Sequence, residues 1–369
     1  MTVDPFEFAR AEEMLTGYSA RWFEEPLDWL EVEVEADAPL VNPETGAASR
    51  TFLLGGKIDA IARHRPTGDV LVVERKTSSE DLSPGSVYWR RLTLNSQLST
   101  YAALARALGY DPRKILYDVL GKPGIRPSAV PIVEDGAKVV LDAGGARVRT
   151  KDGKKWRETA DAAQGYVLQT RPETVDEYRV RLRDVIIDKA EELYRRADIV
   201  RLADEERDAA WDTWQTAANI REGRNAGRFP RNSDACVRYG SPCTFFPVCV
   251  GEASLDDALR YRRAENVHEE LSARATRLPL LTNSEMSAHR ACARLHHLRY
   301  DLGVRAVEDA ETQRFGSLVH NGLEAWTLAV KAGAPESECV GRAHEAMRTA
   351  KPALAKAQPH TPTREAIVL

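Results

Sequence analysis

Two carboxylates and an ammonium interrupt what should be apolar strands. In GGKIDAIARHRPTGDVLVVERKT, Gly55 to Thr77, Asp59 lies on one arm of a hairpin and Glu74 and Lys76 lie on the other. Residues two apart on a strand point to one face, so Glu74 and Lys76 project together while Arg75 points away. Once the arms pair, Asp59 approaches Glu74. Facing carboxylates repel unless a proton or a divalent cation sits between them. The chemistry this allows is that of a magnesium or manganese site, and the plainer alternative is a surface hairpin closed by a salt bridge.

The elements that must position these groups are legible nearby. Val70, Leu71, Val72 and Val73 form an apolar run typical of a strand buried on both faces, and Arg65-Pro66-Thr67-Gly68-Asp69 supplies the turn before it. LEVEVEA, Leu30 to Ala36, alternates as a strand whose wet face carries Glu31, Glu33 and Glu35. The period predicts a helix over 93–108, ending at Gly109 and placing Gln97 and Tyr101 one turn apart, and then a strand over 114–120. Asp4-Pro5 opens a helix toward Trp22. Thr174 and Glu177 form a capping box for a helix to Arg196, and further helices are expected over 203–221, from Asn283 or Ser284 through His297, and over 311–331. The Pro- and Thr-rich end, PALAKAQPHTPTREAIVL, reads as a loosely held tail.

Three of the five cysteines, Cys236, Cys243 and Cys249, fall in ACVRYGSPCTFFPVCVG, and Cys292 in HRACARLHH is the candidate fourth ligand. Four thiolates suit an iron-sulfur cluster or a structural zinc, with buried free cysteines as the bland alternative. Cys339 reads as a lone helical thiol. RVRTKDGKKWR, which carries Arg147, Arg149, Lys151, Lys154, Lys155 and Trp156, could follow a phosphate backbone with the indole stacked on a base, or could be a solvated loop.

With 369 residues, 43% of them hydrophobic, the chain can bury a large core or two domains, and its net charge of −4 excludes a uniformly basic coat. No apolar run approaches a membrane span, and MTVDPFEFARAEEML lacks the features of a secretion signal, so the expected location is the cytoplasm.

Gly56-Lys57-Ile58-Asp59, Glu74-Arg75-Lys76 and Gln97-Leu98-Ser99-Thr100-Tyr101 follow one another as GxxD, ExK and QxxxY. This ordered set resembles the PD-(D/E)XK nucleases of the RecB-like exonuclease group, which includes phage exonucleases and CRISPR-associated nucleases with an iron-sulfur cluster. Ile58 stands where the eponymous Pro would be. Gly316-Ser317-Leu318-Val319-His320 matches the group's GxxxH motif, and Ser284 to Tyr300 is similar to its opening helix with the first cysteine. Both lie after the cysteine cluster, so the chain looks circularly permuted, with family-like order from about Leu280 to the end and then from Met1 to about Gly251.

The resemblance implies an α/β (α+β) fold, a restriction-endonuclease-like mixed β-sheet core flanked by helices with a large helical portion. It implies a nuclease core over 1–250 with the hairpin and the three-cysteine loop, a charged helical linker over 251–279 joining the ancestral ends, a helical segment over 280–350 completing the same domain, and the tail over 351–369. The implied activity is Mg²⁺- or Mn²⁺-dependent DNA exonuclease action at linear ends or on single strands, in phage-type recombination or repair. Asp59, Glu74 and the Arg75 carbonyl would hold one or two cations, His320 would add a ligand, Lys76 would orient water, and Gln97 and Tyr101 would position the DNA backbone. Cys292, Cys236, Cys243 and Cys249 would carry a 4Fe-4S cluster, with Zn²⁺ as the alternative. The chain has no G-x-x-x-x-G-K-[ST] loop, so a helicase or recombinase partner would be a separate chain. The rival expectation is a catalytically inactive protein with a structural iron-sulfur or zinc centre that binds DNA ends, because permutation has displaced His320 or because the metal site is incomplete.

Overall fold

The first helix starts where its cap requires: Asp4 Oδ1 accepts the Phe6 N–H at 2.9 Å, and Pro5 occupies the first turn of α1 (Pro5–Trp22). The computed structural model describes residues 4–238, 240–273, 276–308 and 311–350. The expected tail over 351–369 lies outside them.

Strands β1 (Leu27–Val41), β2 (Ala48–His64) and β3 (Val70–Ser78) form an antiparallel meander, and β3 pairs in parallel with β4 (Pro112–Gly121). A parallel neighbour needs a crossover, supplied here by α2 (Ser96–Ala107), which Asn95 caps through its side chain. This helix begins later than the expected 93–108, because Arg91–Leu94 forms a separate tight turn before the cap.

The apolar run of β3 is buried on both faces. Leu71 and Val73 pack with Met14, Leu15 and Tyr18 of α1, whereas Val72 packs with Leu98 and Leu104 of α2. Helices therefore cover the sheet on both sides, which is the α/β arrangement expected.

The capping box at Thr174 and Glu177 is present, but α3 (Val175–Asp188) stops well short of Arg196. Tyr194–Ile199 is instead an edge strand, β5, antiparallel to β4. Arg196 explains the difference: the extended chain brings its guanidinium 2.9 Å from the wholly buried Asp118 of β4, while the Tyr18 hydroxyl donates to the same carboxylate at 2.6 Å. A buried carboxylate left unpaired is costly, so this partnership outweighs the helical period. Helix α4 (Ala203–Ala226) follows and ends at Gly227, which has φ +61°.

The segment over 251–279 corrects the expectation of a helical linker. Among its described residues there is no helix; Tyr261–Arg263 pairs with Val304–Ala306, and His268 is buried. Strand β6 (Leu280–Thr282) then joins the main sheet in parallel beside β2. Thr282, rather than Asn283 or Ser284, caps α5 (Asn283–Ala291), and the helix breaks at Cys292, whose φ of −165° and ψ of 119° are extended. Helices α6 (Glu311–Lys331) and α7 (Glu336–Thr349) complete the fold. Leu318, Val319, Leu323 and Trp326 of α6 and Met347 of α7 share the cluster that contains α1.

Candidate active site

Strands β2 and β3 pair as far as Ala60 and Val73. Beyond that point the Arg75 N–H donates to Asp59 Oδ2 at 2.7 Å, so a side chain takes the place of a ladder carbonyl. Asp59 Oδ1 lies 3.9 Å from His320 Nδ1 of α6. The histidine therefore reaches the hairpin despite lying far along the chain, so His320 is not displaced from it.

Glu74 and Lys76 project together, as the strand period requires, and form an ion pair with Glu74 wholly buried. The Arg75 guanidinium goes the other way and lies 4.9 Å from the centre of the Trp29 ring. Burial first, and then Asp59, raise the Glu74 carboxyl to about 7 against the opposing pull of Lys76. For Lys76 burial opposes the charged form, but Glu74 and Asp59 outweigh it and its pKa rises. Burial lowers the His320 pKa, with Asp59 opposing and Lys76 adding, which favours the neutral imidazole that ligates metals. On α2, Gln97 Nε2 donates to the Tyr101 hydroxyl at 2.9 Å, and burial followed by Glu74 raises the Tyr101 pKa. Tyr101 also borders Gly56, where an added Cβ would stand 2.9 Å from Leu104 and 3.4 Å from the tyrosine ring; the glycine lets α2 lie against β2.

Sequence reasoning missed Glu33. Val32 pairs with Ala60 and Val34 with Ile58, which sets Glu33 across from Asp59. Its φ is +50°, a left-handed conformation inside a strand, and its carboxylate meets Lys57 Nζ at 2.7 Å. Burial and then Asp59 raise the Glu33 carboxyl to about 7, although Lys57 pulls it down. Among the described residues, Glu33, Asp59 and His320 are the one group of three or more His, Cys, Asp or Glu whose ligand atoms all lie within 4.8 Å of one another. The alternation of LEVEVEA placed Glu33 on a wet face beside Glu31 and Glu35; the backbone kink at this one residue left no mark in the pattern.

The structure gathers the four cysteines away from this centre. Asn232 links two of them, its N–H donating to Cys292 Sγ at 3.4 Å and its carbonyl accepting from Cys236 Sγ at 3.5 Å. The Cys243 N–H donates to the Cys236 carbonyl at 2.7 Å. Burial raises the Cys243 and Cys249 thiols, and in both Cys292 and Cys236 add to the rise. No three of the four sulfurs lie within 4.8 Å of one another. A tetrahedral zinc with 2.3 Å bonds would draw them to about 3.8 Å. Four thiolates are a donor set that an iron-sulfur centre or a structural zinc would take.

The basic tract lies in a set of short β-hairpins between β4 and α3. Arg147 and Arg149 both lie over the Trp156 ring, 4.3 and 4.1 Å from its centre, and Arg147 also meets Asp135 at 3.1 Å. Lys151, Lys154 and Lys155 are exposed on the Thr150 to Lys155 turn.

A family model for the PD-(D/E)XK nuclease superfamily matches residues 6–250 and 281–367, most of the chain. The chain belongs to this superfamily. No curated protein and no solved structure matches it. Nucleases of the PD-(D/E)XK superfamily generally use Mg²⁺ or Mn²⁺, and the carboxylates and imidazole found here are ligands of the type those ions take. No helix among the described residues is long and apolar enough to cross a membrane.

Proposed function

We propose that this chain is a Mg²⁺- or Mn²⁺-dependent DNA exonuclease acting at linear ends. The observation that carries the reading is the meeting of Asp59, Glu74, Lys76 and His320, drawn from two strands and a helix distant in sequence, around carboxylates that lack enough positive charge. Asp59, Glu74, the Arg75 carbonyl and His320 would hold the metal, which when bound supplies water activation and offsets charge on the phosphate. Lys76 keeps its proton at Nζ and orients an attacking water or meets the developing charge. Gln97 and Tyr101 hold the DNA backbone from α2. Lys151, Lys154 and Lys155 meet phosphates further along the substrate, with Trp156 braced by Arg147 and Arg149.

The four cysteines carry a 4Fe-4S cluster that ties Cys292 to the loop after α4. The chain order is a circular permutation of the family's, supported by the two matched segments, by the parallel β6–β2 pairing, and by Arg348 of α7 meeting Glu12 of α1 at 2.7 Å. The biological setting is phage-type recombination or DNA repair in the cytoplasm, alongside a helicase or recombinase on another chain.

The deciding experiment is digestion of end-labelled linear DNA with Mg²⁺ or Mn²⁺, beside a closed circle and the Glu74→Ala protein. Loss of linear DNA alone, abolished by the substitution, is expected. Intact linear DNA with folded, metal-loaded protein would overturn the reading, and cutting of the circle would replace exonuclease by endonuclease action.

A further inference from the structure

Two cavities share Phe229 as a wall, and no residue of β2, β3 or α2 lines either of them. The first, of about 540 Å³, lies between α4, β6, α5 and the chain over 297–301. Val267, Pro279 and Leu280 give it apolar sides, and Arg224, Glu285 and Asp301 supply charged groups. The second, of about 470 Å³, is flanked by Arg231 and Arg294. Each falls in the range of about 300–1,000 Å³ typical of sites for small organic ligands. We infer that together they form a nucleotide-binding site apart from the nuclease centre, with the base against Phe229 in the first cavity and the phosphate between Arg231 and Arg294 in the second.

The aromatic wall is built before a ligand arrives. The Phe229 ring lies on that of His297, 3.7 Å between centres and 11° from parallel. His297 Nδ1 lies 3.0 Å from Asp301 Oδ2, and Asp301 Oδ1 accepts from Arg224 Nε at 2.8 Å. The floor is equally fixed, because the buried Glu285 meets Arg224 at 3.2 Å, His296 Nε2 at 2.9 Å and His268 Nε2 at 3.3 Å. A base that stacks there need not order the groups that hold it. Base edges carry both donors and acceptors, and a carboxylate beside a guanidinium answers both. Guanine matches best: its ring N–H and amino group donate side by side to one carboxylate, and its carbonyl oxygen accepts from a guanidinium. The charged end of the ligand belongs in the second cavity. Arg231 is held at the wall by donating to the Cys249 carbonyl at 3.1 Å, Arg294 is exposed, and no carboxylate lines the space among the described residues.

The test is calorimetric titration of the full chain with GMP, guanosine, CMP, inorganic phosphate and a short oligo-dT strand carrying one dG. Chelator and the absence of added Mg²⁺ or Mn²⁺ keep the result independent of DNA cutting. GMP should bind about tenfold more tightly than guanosine, phosphate or CMP. Phe229→Leu, which keeps the wall apolar, should weaken GMP and guanosine alike by about tenfold. Arg294→Gln should bring GMP down to the level of guanosine and leave guanosine itself unchanged, which also shows that the variant is folded. The strand separates the two sources of such a ligand. Tighter binding than GMP, lost in Phe229→Leu, assigns the site to a nucleotide within single-stranded DNA, whereas a strand that binds no better than GMP assigns it to a free nucleotide. GMP that binds no more tightly than phosphate, or GMP and strand affinities that ignore both substitutions, would overturn the site, and CMP equal to GMP would remove the preference for guanine.

Discussion

Asp59 Oδ2 accepts the Arg75 N–H at 2.7 Å, just past the last paired residues of β2 and β3. The carboxylate thus has a structural duty that is separable from metal binding. Asparagine can still present an oxygen to that N–H, whereas alanine leaves a buried donor without a partner, at about 1–3 kcal/mol. Asp59→Asn should therefore melt close to the unmodified protein and lose cutting by about a hundredfold or more, while Asp59→Ala should lose both activity and stability. Equal melting of the two variants would show that the hydrogen bond contributes nothing.

Glu33 and Glu74 give the metal-free protein a pH dependence of definite sign. Both carboxyls are raised from 4.5 to about 7, chiefly by burial, so the folded state holds their protons more tightly than the unfolded chain does. Their contribution is complete below about pH 4.5 and is lost as pH rises through 7. Thermal melts in chelator should show the unmodified protein losing stability across that window relative to a Glu33→Gln, Glu74→Gln double variant, and added Mn²⁺ should restore it most strongly above pH 7. Parallel profiles for the two proteins would contradict the raised values.

Much of this site could be read before any coordinates. GxxD, ExK and QxxxY carry their own geometry, because strand and helix periods fix which of Asp59, Glu74, Lys76, Gln97 and Tyr101 share a side. What escaped was tertiary. Glu33 enters through one left-handed residue inside a strand, and alternation cannot reveal it. The helix expected from the Thr174 cap to Arg196 stops early, because the buried Asp118 draws Arg196 into an extended strand. The helix expected through His297 breaks at Cys292 because that sulfur lies with the loop that carries the other three.

Cys243 is half-buried among the other cysteines, and its thiol is raised by burial and by them. A bound metal centre would reverse that preference by holding the thiolate. Cys243→Ser should therefore bleach any brown colour of the purified protein, lower its iron and sulfide content, and destabilise the loop after α4. A variant that folds and is coloured as before would remove Cys243 from the ligand set, and zinc found in place of iron would replace the cluster by a structural zinc.

The segment over 251–279 decides how a reordered chain should behave. If the order is permuted, a chain running 280–369 and then 1–251 restores the family's sequence of motifs and should fold with Asp59 and His320 together. That chain lacks His268, whose Nε2 lies 3.3 Å from the buried Glu285, which also meets His296 Nε2 at 2.9 Å. Although burial opposes both charged forms, the two histidines hold Glu285 at about 2, and Glu270 together with Glu285 raises His268 to about 9. The histidine's share is complete below pH 6.5 and fades as pH rises through 9, and that of Glu285 is complete above pH 4.5, so the missing stability should be largest between about pH 4.5 and 6.5 and smallest above 9. Removing one partner of a buried group that keeps others costs about 1–3 kcal/mol. The reordered chain should accordingly cut DNA but melt earlier, and appending 252–279 at its new end should recover much of the loss unless His268 is changed to Ala. A reordered chain that fails to fold even with the segment restored would show that the present order is required, and the permutation reading would fall.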